Sequence, residues 1–211
     1  LKDHSNDELA AIMAGKKVGV GFSMTDRFFL LSGNTNREDL ETQLQLQTAY
    51  LMHPGYRQDG VTLLRRAIPM IYNKMDHEVQ GAMKKQVPAI LYRNNPRFTF
   101  PTQEQLTSYQ VKDVRDWVDA PLKNNYMEVT VTGDFRTEDI IPLLERTVGA
   151  VPKRAEAPAT LDETLRHPVM ADFNFSKDLT YDSSIDKTMV CLFWKTPGGE
   201  NKKLARRLNM L

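Results

Sequence analysis

The stretch that decides the fold is residues 23–66, SMTDRFFLLSGNTNREDLETQLQLQTAYLMHPGYRQDGVTLLRR. A short run of phenylalanine and leucine ends in Ser32-Gly33. It pairs on paper with KVGVGFS (17–23), so 17–23 and 27–33 are expected to be two strands around a Met24-Thr25-Asp26 turn. Asn36 then offers an N-cap, followed by acidic residues where the positive end of a helix favours them. Leu40, Leu44, Leu46, Ala49, Tyr50 and Leu51 supply the apolar stripe of that helix. His53-Pro54-Gly55 stops it.

Upstream, residues 7–14 are expected to form a short helix closed by Gly15. Downstream, helices are expected over about 59–75 and 77–92, each carrying a proline (Pro69, Pro88) that should kink it or shift its start. Thr102 and Gln105 have capping-box spacing. Val114, Trp117 and Val118 mark another helix, with Trp117 in the core together with Phe98, Phe100 and Trp194. YMEVTVTG (126–133) alternates apolar and polar residues and is expected to be the best strand. Thr137 is the expected cap of the helix after it. VPKRAEAPATLDETLRHP (151–168) has no period and is expected to be a linker. ADFNFSKDLTYD (171–182) and KTMVCLFW (187–194) are expected strands, with a Pro197-Gly198-Gly199 turn and a helix running to Leu211 behind them. Leu204, Leu208 and Leu211 share one face of that helix, and Lys202, Lys203, Arg206 and Arg207 the other. The order predicts an α+β domain over 1–150, a linker over 151–168, and the start of a second domain over 169–211. A start at Leu1 and a helix with no stop at Leu211 lead us to expect an excerpt of a longer polypeptide.

Composition excludes several classes. The chain has 211 residues, 41% of them hydrophobic and 26% charged, which suits an ordinary globular fold. A net charge of +1 gives no global attraction to nucleic acid, and no stretch has the apolar length of a membrane span. The single cysteine, Cys191, excludes an internal disulfide and is expected to be a buried mid-strand residue.

Local chemistry tests come out empty. His4, His53, His77 and His167 contain no pair one helical turn apart, as a two-histidine zinc motif needs. His77 is expected to be an exposed helix residue. The glycine pattern at Gly19 and Gly21 fails at Met24, Gly15-Lys16 lacks the rest of a phosphate loop, and Ser23 misses a nucleophile elbow. The basic face of the last helix is read as solvated; its rival reading is a phosphate-binding module. No catalytic residue, no metal ligand and no identifiable substrate contact follows from the residues themselves.

The order of motifs is more specific. A strand ending Ser-Gly, then Asn36-x-Glu38-Asp39-Leu40, a Leu/Gln-rich helix and the Pro54-Gly55-Tyr56-Arg57 turn resembles the insulinase or pitrilysin family of zinc metallopeptidases, inverted zincins that include mitochondrial processing peptidase. NPRFTFPTQEQL (95–106) and VKDVRDWVDAPLKNNYMEVTVTGDF (111–135) are similar to further family segments, and KTMVCLFWKTPG (187–198) with ARRLNML (205–211) to the opening of a next repeat, as in bacterial zinc proteases of this group.

The resemblance implies a mitochondrial-processing-peptidase-like fold: repeated α+β domains, each a largely antiparallel sheet with helices on one face. Four of them form two halves that close on a peptide. It also implies that zinc is held in the first domain by a His-x-x-Glu-His helix and a downstream Glu, the motif Glu activating water. In a catalytic domain that downstream Glu would follow the Pro-Gly-Tyr-Arg turn. Here the segment is GVTLLRRAIPMIYNK (60–74), no Glu lies between Glu41 and Glu78, and Arg65 and Arg66 would repel the ion.

The resemblance thus implies a non-catalytic, zinc-free part of a zinc endopeptidase. Its partners would be the catalytic half of the same polypeptide and the parent's peptide substrate, with neither nucleic acid nor a membrane span. The alternative is a scaffold subunit of an inactive homologue, as in respiratory-complex core proteins. Relatives of this kind are often exported, which favours periplasm or cell envelope over cytoplasm without deciding the compartment.

Overall fold

The computed structural model describes residues 1–25, 28–160, 168–172, 174–196 and 201–210. In chain order the elements are α1 (Asn6–Ile12), β1 (Gly21–Met24), β2 (Phe29–Ser32), α2 (Leu40–Met52), α3 (Gln58–His77), α4 (Val79–Leu91), α5 (Gln103–Ser108), α6 (Val111–Asn124), α7 (Thr137–Arg146), a 3-10 turn (Val148–Ala150) and α8 (Lys202–Leu208). The chain divides into two units. One comprises Leu1–Val61 with Gln110–Ala159, the other Thr62–Tyr109 with Thr160–Leu211.

In the first unit, β1 and β2 form an antiparallel pair in the register Gly21↔Ser32 to Met24↔Phe29. The fold is thus mixed α+β, its sheet among the described residues being this two-stranded one. One face of β2 is half-buried at Phe29 and Leu31, while Leu30 and Ser32 face out. That face packs on a core of Leu51 from α2 with Val118 and Leu122 from α6, which Met52, Met127 and Val151 flank. Gln43 is 3% exposed inside the apolar stripe of α2. Its amide accepts from the Gly19 N–H at 2.9 Å and donates to the Gly19 carbonyl at 2.8 Å. One side chain thereby does what a neighbouring strand would do for that residue. Gly33 is needed beside it, since a Cβ there would lie 2.1 Å from the Gln43 Nε2.

In the second unit, Ile68 and Tyr72 of α3 and Ala82 of α4 are buried. The Tyr72 hydroxyl donates to the Pro101 carbonyl, and its ring lies 5.7 Å from that of Phe100. The α3–α4 corner needs Gly81, where a Cβ would come within 2.3 Å of the Met75 carbonyl oxygen. Pro69 and Pro88 interrupt neither helix. Pro69 is exposed, so the Arg65 carbonyl it leaves without a helical donor can be hydrated.

Other expectations are corrected. Residues 126–133, 171–182 and 187–194 form no ladder among the described residues, because alternation marks a face but a strand needs a partner strand. Cys191 is exposed, not buried. Trp117 and Trp194 are 59% and 74% exposed, and Val118 and Leu122 carry the core in place of Trp117. Phe100 stays at the surface as well. Thr137 is the first residue of α7, not its cap; Arg136 holds the cap position without a side-chain bond and pairs with Asp139. Asn36 caps the turn before α2, accepting from the Asp39 N–H at 2.8 Å. The last helix ends at Leu208, with Asn209 at its C-cap. The Pro197-Gly198-Gly199 turn, Leu211 and residues 161–167 of the expected linker lie outside the described residues.

Candidate functional site

The place to look for a metal ligand is the first half of α3. Arg65 is half-buried there and Arg66 exposed. The Arg65 guanidinium is committed to backbone oxygens. Its Nε donates to the Thr107 carbonyl at 3.0 Å and an Nη to the Tyr109 carbonyl at 2.8 Å. These carbonyls close the C-terminal end of α5, where a helix leaves acceptors unsatisfied and carries partial negative charge. A planar guanidinium meets two such acceptors at once. Cations cannot ligate zinc, and among the described residues no cluster of three or more His, Cys, Asp or Glu could hold a metal ion. The side chains present on this segment of α3 therefore do not fit a zinc site.

The described histidines are placed apart from such a role. His77 has its Nδ1 2.7 Å from the Asn73 carbonyl of its own helix and its Nε2 3.7 Å from Asp182, both side chains being largely exposed. His53 closes α2 and, with His4, lines a groove of about 310 Å³ floored by Leu9, Met13 and Leu46. A second groove, of about 330 Å³, runs past His53 and Ala49 to Thr147 and Pro152. Neither presents a nucleophile beside a base.

The Pro54-Gly55-Tyr56-Arg57 turn is a structural clamp. Tyr56 holds a left-handed φ of 44°, uncommon for a residue with a side chain. Its hydroxyl donates to Asp119 at 3.3 Å, and the Arg115 guanidinium lies over its ring at 5.6 Å. Lys123 donates to the other Asp119 oxygen at 2.7 Å. Burial, then the Asp119 charge, pushes the Tyr56 phenol up to about 12. The Lys123 hydrogen bond leads the effects that hold Asp119 below its ordinary value. Arg57 donates to the Leu1 and Lys2 carbonyls, each at 3.3 Å.

Sequence reasoning missed the structural parts played by Gln43, Tyr56, Arg65 and Arg154. Gln43 alone left a signal, a polar residue three positions after Leu40 on an apolar stripe. No helix among the described residues is long and apolar enough to cross a membrane.

Comparison with known proteins fits this arrangement. Residues 108–211 match the family described as the peptidase M16 inactive domain. Over 138 residues the chain is 21% identical to the chloroplastic stromal processing peptidase of Pisum sativum, an alignment covering 64% of this chain. The chain spans 11% of the length of that relative. On this footing residues 108–211 are similar to the inactive domain of the M16 peptidases, the insulinase and pitrilysin family, and the similarity supports a non-catalytic region of that kind.

Proposed function

We propose that this chain walls part of the peptide-enclosing chamber of an insulinase-like zinc metalloendopeptidase and docks against that enzyme's catalytic half. Arg65 carries the reading: the segment that would supply a zinc-binding carboxylate in a catalytic domain supplies a guanidinium bonded to Thr107 and Tyr109 carbonyls. The parent's reaction is peptide-bond hydrolysis with zinc held in the other half, and no step of it falls to residues of this chain. Periplasm or cell envelope is the compartment proposed for the parent.

The test is deletion of residues 1–211 from the parent polypeptide. Hydrolysis of a quenched fluorescent peptide should fall at least tenfold, while the remaining half keeps its zinc. A photoreactive substrate peptide should also cross-link to this region in the intact parent. Undiminished hydrolysis after the deletion would refute the chamber role. A parent that holds no zinc would favour the scaffold reading.

A further inference from the structure

The chain leaving α7 does not turn away from the first unit. It crosses to the far end of α6 and is tied there by one side chain. Val151 packs beside the Leu51, Val118 and Leu122 core. Three residues on, the Arg154 Nε donates to the Asn125 carbonyl at 3.0 Å and an Nη to the Leu122 carbonyl. The next residue adds a main-chain bond, Ala155 N–H to the Asn124 carbonyl at 2.9 Å. All three acceptors belong to the closing turn of α6 and its cap, where carbonyls lack helical donors and the helix dipole favours a cation.

From this geometry we infer that Arg154 is a releasable latch, which docks residues 151–155 on α6 and so holds the chain after α7 against the first unit. The tie is selective. Lys153, next to it, pairs with Glu156 at 2.8 Å, and both of those side chains are more than three-quarters exposed. The latch is also not fully satisfied: the remaining guanidinium nitrogen, Nη1, is buried with no hydrogen-bond partner among the described residues. A buried donor without an acceptor works against the closed state, since it would regain water on opening. The docked and released forms are therefore closer in free energy than the bonds alone would suggest. Release would free five residues, up to about 17 Å of chain at full extension. The inference stands on α6 and its own neighbours and does not depend on the peptidase reading.

Amide exchange in the intact chain tests it. In the native protein the Ala155 N–H should exchange at least tenfold more slowly than the amides of residues 189–194. In Arg154→Ala it should exchange as fast as those, while amides of α2 and α6 keep their protection. An unprotected Ala155 in the native chain, or full protection in the variant, would overturn the latch. Should Arg154→Ala lose the protection of α2 and α6 as well, trypsin on the native chain decides. Cleavage after Arg154 at least tenfold slower than after Lys195 supports the latch; equal rates contradict it.

Discussion

Residues 21–32 and residues 187–194 carry the same kind of text, apolar and aromatic runs next to turn residues, and they end differently. The first run folds back on itself, pairs Phe22 with Leu31, and lays Phe29 and Leu31 on α2 and α6. The second forms no ladder, and Val190, Leu192 and Trp194 are all more than two-thirds exposed. A helix satisfies its main-chain bonds within its own segment, whereas a strand must find them in another one. Helical text was therefore realised from the sequence alone, and strand text only where a partner lay within reach.

The largest effect that separates the two regions should come from the core of the first unit. Leu51→Ala removes a side chain that is 5% exposed and should cost about 2–5 kcal/mol. Urea unfolding followed by Trp117 fluorescence in a Trp194→Phe background measures it; a loss under about 1 kcal/mol would mean that this core is not closed. Next comes Gln43→Ala, which strips both main-chain groups of Gly19 of their partners and should cost about 1–3 kcal/mol. Tyr56 adds a pH-dependent term. Its phenol is raised from 10 to about 12 in the fold, so its stabilisation is complete below pH 10 and lost as pH rises from 10 to 12. After a discount for solvent screening, about 1–2 kcal/mol should vanish in that window, and Tyr56→Phe should remove this part of the loss.

Smaller effects probe the surfaces. Trp117→Ala should cost about 0.5–1.5 kcal/mol, as befits an exposed ring that keeps one edge contact with Phe29, at 5.7 Å. A cost of about 3 kcal/mol or more would restore the core role that the sequence suggested. Trp194→Ala should change stability by under about 0.5 kcal/mol. Cys191, in the same exposed run, should react fully with a thiol reagent without denaturant. Protection of Cys191 would show that the second run is covered after all.

Local signals were legible. The Thr102–Gln105 capping box closes in both directions, with bonds of 2.8 and 3.2 Å, because both partners lie within one turn. The stop at His53, the hairpin and the α+β class were readable for similar reasons of short range. The rest depended on partners distant in sequence. Gly19 lies 24 positions from Gln43, and Asp119 lies 63 from Tyr56. The burial of Val118 in preference to Trp117 follows from which face of α6 meets α2, and an amphipathic pattern with a tryptophan on its edge does not decide that. At the candidate site, the charge of Arg65 was enough to argue against zinc ligation, while its true acceptors at the end of α5 came only from the fold.

The most direct test of the non-catalytic reading is metal content after exposure to excess zinc and removal of the free ion. Mass spectrometry should find less than about 0.1 zinc per chain, and a fluorogenic peptide should be cleaved no faster than in buffer, with or without chelator. One zinc per chain, together with hydrolysis that a chelator abolishes, would contradict the account.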